Sequence, residues 1–418
     1  MQKITRIIVV IGVILSIAAC SSNNAISTQD TSSMETSIDI DPNTEQTDEN
    51  IASSSSDPSA GEAAASAVDI NEDTSDYDWD TADEVTVTLA DNAITADSRA
   101  VSVNGSTATI DSPGSYRISG SLSNGQIIVS SAVDGVVRLI LNGVDIHNET
   151  SAAIYVEDAD KVIINLVAGT ENYLSDGASY ILTDPESDEP NATLFSNADL
   201  TIDGAGSLTV TGNYNDGIAS KDGLIINSGT LTVFAADDGI RGKDYVLIRS
   251  ANITIDANGD GIKSDEAEDS AKGWIIIESG TLNVRAGMDA IDAETAVTVE
   301  SGAITLVAGD GSTNANFGDT DSMKGMKAGA IITINGGTFN IQSTDDALHS
   351  NDSILITGGQ FSIATGDDGI HADTDLTIEN GTITITESYE GLESATITIN
   401  NRSEERRVGK ERRSRWSP

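Results

Sequence analysis

Asp216-Gly217-Ile218-Ala219-Ser220, Asp238-Gly239-Ile240-Arg241-Gly242 and Asp260-Gly261-Ile262-Lys263-Ser264 are one five-residue phrase repeated along the chain. It returns as Asp289-Ala290-Ile291-Asp292-Ala293, Lys324-Gly325-Met326-Lys327-Ala328, Asp346-Ala347-Leu348-His349-Ser350, Asp368-Gly369-Ile370-His371-Ala372 and Glu390-Gly391-Leu392-Glu393-Ser394. Successive starts differ by 22, 22, 29, 35, 22, 22 and 22 residues, so one period persists and two repeats carry inserted loops. A period of this size marks a solenoid, in which each repeat buries its apolar face against its neighbours.

Between the phrases apolar residues alternate, as in Leu224–Ile226, Leu231–Val233, Ile331–Ile334 and Phe339–Ile341, with glycines at the joints. Alternation is strand periodicity with one face inward. Three short strands and their turns use up 22 residues, and each coil then advances roughly 4.8 Å on the last. The expected fold is all-β: a right-handed parallel β-helix, a single-stranded solenoid of about 22 residues per coil. Residues 81–401 carry it, with irregular early coils and a cap over 81–214 and regular coils over 215–401. Ile218, Ile240, Ile262, Ile291, Met326, Leu348, Ile370 and Leu392 are expected to form an inward ladder, and the glycine column a tight turn. The leucine-rich consensus of a similar period is absent.

The acids fall in columns. Asp216, Asp238, Asp260, Asp289, Asp346 and Asp368 share one position, preceded in places by Asp237, Asp345 and Asp367 and followed by Asp222, Asp244, Asp265, Asp292, Asp352 and Asp373. Carboxylates about 4.8 Å apart repel by on the order of 3 kcal/mol at an effective dielectric near 20. Such a row binds cations, takes up protons or splays into water. Calcium, which takes several oxygen ligands and tolerates irregular turns, is the cofactor expected here (Ca2+). The competing reading is that Asp-Gly serves turn geometry alone. The nonapeptide calcium repeat has a different spacing. His349 and His371 lie one repeat apart: a transition-metal pair is conceivable, two solvent-facing histidines the plainer reading. Lys221, Lys243, Lys263, Lys324 and Lys327 stand among the acids, either balancing charge or, beside a metal, supplying a base that removes a proton next to a uronate carboxylate.

The net charge of -45 repels a phosphate backbone, so nucleic acid is excluded as a partner. The single cysteine, Cys20, forbids an internal disulfide. Residues 1–20, MQKITRIIVVIGVILSIAAC, join a basic start to a short apolar run and Ile17-Ala18-Ala19-Cys20, which resembles the bacterial lipobox. The expectation is a lipoprotein signal peptide over 1–19, lipid on Cys20, and a protein held by that lipid alone on the extracellular face of a bacterial membrane. Residues 20–80, rich in Ser, Thr and Asp, are expected to be a disordered tether. At the other end, 402–418 reads RSEERRVGKERRSRWSP, with seven basic and three acidic residues and no strand alternation. It resembles the translation of a common sequencing adapter, so the expectation is a non-native tail after a fold cut short.

The runs GDGIKSDE, KGWIIIESGTLNV, GDGSTNANFGDTDSMKGMKAG, TDDALHSND, GDDGIHAD and SYEGLES resemble the carbohydrate-binding-domain-containing proteins of bacterial surfaces, a parallel β-helix group shaped like polysaccharide lyases. The resemblance covers about Val85 to Asn400. It implies non-catalytic binding of plant cell-wall polysaccharide, including cellulose and acidic pectin chains, with bound calcium; the protein is expected to be a monomer. Carried over by motif, the calcium acids are drawn from Asp216, Asp237, Asp238, Asp260, Asp265, Asp289, Asp345, Asp346, Asp367 and Asp368; Lys324 and Glu390 break the column. The chain has few aromatics for stacking on flat cellulose, which favours an acidic polymer bridged by calcium. The alternatives are a calcium-dependent uronate lyase with a lysine base, and a structural surface adhesin.

Overall fold

A computed structural model of the chain describes residues 70–182, 187–313 and 322–400. The leader, Cys20, the tether up to residue 69 and the tail 402–418 lie outside them. The fold is all-β with two short 3-10 turns, and its strands join one long, mostly parallel sheet with a solenoid-like order. No helix among the described residues is long and apolar enough to cross a membrane.

Each regular coil contributes three strands, and each strand pairs in parallel with its counterpart one coil on. The anchor column holds the repeated phrase: Ile218 pairs with Ile240, Ile240 with Ile262, Ile262 with Ile291, Met326 with Leu348, Leu348 with Ile370, and Ile370 with Leu392. All but Leu392 are fully buried. The second column runs through Gly223–Ile226, Tyr245–Ile248, Trp274–Ile277, Ala296–Val299, Ile331–Ile334 and Ser353–Ile356. The third runs through Ser207–Gly212, Thr230–Ala235, Asn252–Ala257, Thr281–Ala286, Ala303–Ala308, Thr338–Ser343, Gln360–Thr365 and Thr382–Glu387. In the third column alternate residues point inward, where Leu231, Ile253, Leu282, Ile304, Phe339 and Phe361 stack in register. Phe339 and Phe361 lie nearly parallel, centroids 4.5 Å apart.

The two inserted loops leave the register intact. Ile262 still pairs with Ile291 across the first, and Ala303 with Thr338 across the second. The early coils are more regular than their sequence suggests. Lys161–Leu166 pairs residue for residue with Asp199–Gly204, and the irregularities are local shifts at Ile118/Gly120 and Val129/Ser130. The N-terminal end carries two antiparallel hairpins, Val85–Asp91 with Ala93–Ala96 and Val101–Asn104 with Thr107–Ile110, so its outer edge is not a bare parallel strand.

Close approach, not a left-handed backbone, dictates the glycine column. A Cβ on Gly261 would lie 2.2 Å from Val284 Cγ1 and 2.6 Å from the Ala290 carbonyl oxygen. Ala290 and Ala347 occupy the same column elsewhere, so a methyl is accommodated only where the neighbouring coil makes room. Gly261→Ala is expected to cost about 1–3 kcal/mol through overpacking, read as a lower urea midpoint at unchanged slope.

Ile70–Asp80, expected to belong to the tether, is instead a folded strap over the outward side of the second column. Ile70 packs on the apolar cluster of Ile225, Tyr245, Leu247 and Trp274, where the Tyr245 and Trp274 rings stack 4.7 Å apart. Glu72 takes both guanidinium nitrogens of Arg249, at 2.6 and 2.5 Å. Asp76 forms a buried ion pair with Lys161 at 2.6 Å, and Arg138 donates to the Asp76 carbonyl while stacking on Trp79. The segment has too few apolar residues to read as folded; side chains far along the chain hold it.

Candidate functional site

The repeated phrase builds a charged ridge. Its first position carries the acid column and its fourth carries Ala219, Arg241, Lys263, Asp292, Lys327, His349, His371 and Glu393, paired in that order. The acids are not a solvated row: Asp216, Asp238, Asp260, Asp289, Asp345, Asp346 and Asp368 are all buried. Asp367 and Asp265 are partly exposed and Asp237 is exposed.

One oxygen of each column acid accepts the backbone N–H of the next coil's equivalent residue. Asp260 N–H donates to Asp238 Oδ1 at 2.8 Å, Asp289 N–H to Asp260 Oδ1 at 2.9 Å, and Lys324 N–H to Asp289 Oδ1 at 2.6 Å. Asp368 N–H donates to Asp346 Oδ1 at 3.0 Å and Glu390 N–H to Asp368 Oδ1 at 2.7 Å. The column thus terminates amides that the turn leaves without a strand partner. The two coils that break the acid column, at Lys324 and Glu390, still donate into it.

The second oxygens face basic side chains from the fourth position. Arg241 reaches Asp216 Oδ2 at 2.9 Å, Lys263 bridges Asp260 and Asp238 at 2.6 and 3.4 Å, and Lys327 bridges Asp289 and Asp292 at 3.3 and 3.1 Å. Lys324 pairs with Asp345. Burial pushes Asp216 up to about 7 and Asp292 up to about 6, against the pull of these cations. Lys263 and Lys327 are half-buried, which lowers them, but the surrounding carboxylates outweigh this and hold both above the ordinary lysine value. Asp265 leaves one carboxylate oxygen buried with no hydrogen-bond partner, its other 3.6 Å from Arg241.

Among the described residues, two all-carboxylate groups bring one oxygen each within 4.8 Å of one another: Asp260, Asp289 and Asp292, and Asp345, Asp346 and Asp367. Asp216, Asp237, Asp238 and Asp265 join neither. The first group is threaded by Lys263 and Lys327; the second has Lys324 alone, on Asp345.

The histidines do not simply face solvent. His349 Nδ1 lies 2.8 Å and His371 Nδ1 3.3 Å from the same oxygen, Asp346 Oδ2, with the rings perpendicular and 4.8 Å apart. Asp346 stays below the usual carboxylate value: burial raises it, but the His349 and Asp368 hydrogen bonds outweigh that.

A second surface went unread in the sequence. The outward middle position of the third column is Thr209, Thr232, Thr254, Asn283, Thr305, Asn340, Ser362 and Thr384, each directly beside the next. The position two residues earlier is Ser207, Thr230, Asn252, Thr281, Ala303, Thr338, Gln360 and Thr382. These side chains are exposed or half-exposed, neutral, and hydroxyl or amide with one exception. In a chain of net charge -45, this strip eight strands long carries no charge. Aligning the coils on their glycine joints would have found it. Its third outward position is mixed, with Phe234, Asp256 and Arg285 exposed.

A family model described as "Carbohydrate-binding domain-containing protein" matches residues 104–369. A carbohydrate-binding domain-containing protein of Acetivibrio thermocellus is 42% identical over 135 residues, 32% of this chain and 47% of the relative, so the match spans about half of that relative. A solved polysaccharide lyase-like protein from C. thermocellum, a gadolinium derivative, is 26% identical, covering 76% of this chain and 96% of its own with a TM-score of 0.46. The family match takes in most of the regular coils, the charged ridge and the neutral strip, and the chain belongs to the carbohydrate-binding domain-containing protein family.

Proposed function

We propose that this protein binds cell-wall polysaccharide without cleaving it, and that the neutral hydroxyl and amide strip of the third column is the docking surface. The observation that carries the reading is the strip itself, in a chain of the carbohydrate-binding family. Eight in-register strands present donors and acceptors at roughly 4.8 Å along the coils, a pattern suited to the hydroxyls of an extended sugar chain. The reading takes with it a right-handed parallel β-helix, a monomer, and display on the outside of a bacterial membrane through lipid on Cys20. A neutral polymer of the cellulose type suits the strip better than an acidic one.

Calcium dependence is kept for one place. The acid column from Asp216 to Asp289 is matched by arginine and lysine, whereas Asp345, Asp346 and Asp367 converge with a single lysine among them, Asp346 meeting the Asp368 amide and two imidazoles rather than a permanent cation. These three residues would hold Ca2+, which would supply charge neutralisation at the turn and a bridge to an acidic pectin-type chain.

The uronate-lyase alternative needs a lysine that gives up its proton. Lys263, Lys327, Lys243 and Lys272 are all held more firmly protonated than free lysine: burial works against this at Lys263 and Lys327 but is outweighed by the facing aspartates, and hydrogen bonds to Glu266 and Asp244 hold Lys243 and Lys272, which favours charge balance over base catalysis.

Retention of the protein on insoluble and gelled polysaccharides, with Ca2+ and with chelator, tests the reading. Thr254→Arg with Thr305→Arg is expected to reduce retention at least about ten-fold while changing stability by less than about 0.5 kcal/mol, since both side chains face water. Unchanged retention would remove the strip from the binding site, and ultraviolet absorbance rising on polygalacturonate would make the protein a lyase.

A further inference from the structure

The fourth position of the phrase changes character along the ridge. Arg241, Lys263 and Lys327 place a permanent cation against the column acids. In the next two coils the same position is His349 and His371, two of the three histidines in the chain. A neutral imidazole offers a nitrogen lone pair instead of a charge. Around these rings stand Asp345, Asp346, Asp367 and Asp368, with Lys324 the one lysine paired among them.

We propose that Asp346, His349 and His371 form a binding site for one divalent transition metal of the Zn2+ class. One ligand atom from each of Asp346, His349 and His371 lies within 4.8 Å of the other two, and Asp346 Oδ2 is 2.8 Å from His349 Nδ1 and 3.3 Å from His371 Nδ1. Ligand atoms about 2.0–2.1 Å from a tetrahedral ion sit about 3.3 Å apart, so small ring rotations close the set. Strand register fixes the rings on neighbouring coils, His349 directly beside His371.

The outer contacts are those of a ligating pair. The far nitrogen of His349 lies 3.1 Å from Asn351 Oδ1, and that of His371 3.4 Å from Asp373 Oδ1. When a metal displaces the proton that the inner nitrogen shares with Asp346, such partners hold the N–H of the outer nitrogen, so that the inner lone pair faces the metal. Asp346 Oδ1 is anchored by the Asp368 amide at 3.0 Å, which aims Oδ2 at the rings. The imidazole side chains are 15% and 25% exposed, leaving an entry path and a fourth position for water. The chemistry is nitrogen ligation at the ridge, separate from sugar binding on the third column and from oxygen ligation of Ca2+ at Asp345 and Asp367. Asp346 is common to both metal sets; the histidines belong to one alone, and Asp345 and Asp367 to the other.

The test titrates the full-length, chelator-treated protein with ZnCl2 by calorimetry and with CoCl2 by visible absorption. The expected result is one equivalent of Zn2+ and a tetrahedral Co2+ band. His349→Gln and His371→Gln, which keep a polar contact to Asp346, are each expected to weaken Zn2+ at least about ten-fold, and the double substitution to abolish the Co2+ band. Melting without metal reports whether the variants fold, and Ca2+ titration of the same variants should be unchanged. Absent Zn2+ binding at 100-fold excess over protein (about 1 mM), or affinity unaltered in the double variant, would overturn the assignment whatever the outcome with polysaccharide.

Discussion

Asp289→Ala is expected to lower the unfolding free energy by about 3–5 kcal/mol, the cost of removing one partner from a buried charged network. The carboxylate is 1% exposed and takes four contacts: the Lys324 amide at 2.6 Å, the Ser322 hydroxyl at 2.9 Å to each oxygen, and Lys327 at 3.3 Å. Alanine strands a buried amide and leaves Lys327 with Asp292 alone. Asp289→Asn keeps an acceptor for the amide and loses only charge, so about 1–2 kcal/mol is expected. Urea unfolding with chelator and with Ca2+ separates the two roles an acid here could play. A structural acid gives the same loss in both; a loss confined to the calcium sample would make Asp289 a metal ligand.

The melting temperature is expected to fall by on the order of 5 °C as pH rises from 5 to 8. Burial raises Asp216 to about 7, Asp222 and Asp292 to about 6, and Asp368, which also shares a hydrogen bond with Glu393, to about 8. Folded, these groups hold protons more tightly than the unfolded chain does. The stability they contribute is complete below about pH 4 and is lost as pH climbs through 6 to 8. Two units on Asp292 alone correspond to about 3 kcal/mol. Glu72 and Glu84 work the other way: their arginine partners depress them, so their contribution is lost as pH falls below about 4.5. The optimum therefore lies near pH 5. Thermal melts at constant ionic strength check it, with Asp292→Asn expected to flatten the slope. A melting temperature that is level or rising from pH 5 to 8 would refute the account.

The parts of the fold legible in sequence are those that repeat. The 22-residue spacing located every anchor strand from Asp216 to Leu392, because an inward aliphatic must recur once per coil. The same spacing named the acids but misjudged their surroundings. That Asp238 receives the Asp260 amide and Lys263 becomes visible only once two coils are stacked, since each partner is spaced by a turn rather than a strand. The neutral strip was legible in principle and hidden by attention to charge. The strap could not be read at all: Asp76 and Lys161 are 85 residues apart, and composition around Asp76 matches an unfolded segment.

In a stack of coils each layer ordinarily touches only the layers beside it, so unfolding spreads layer by layer and different stretches can open independently. The strap breaks that rule for one part of the molecule. From Ile70 against Trp274, through Glu72 on Arg249, to Asp76 on Lys161 and Arg138, a single run of residues spans a series of stacked layers whose two ends, the Arg138 strand and the Trp274 strand, share no strand pairing. Opening any one of them disturbs the run, so these layers are expected to exchange their amide hydrogens as one cooperative unit. Among the described residues, the layers from Ala303 to Ile399 carry no such strap, only the Ser312 hydroxyl on Glu387 reaching past a neighbouring layer, and their protection is expected to decline stepwise toward Leu392–Ile399.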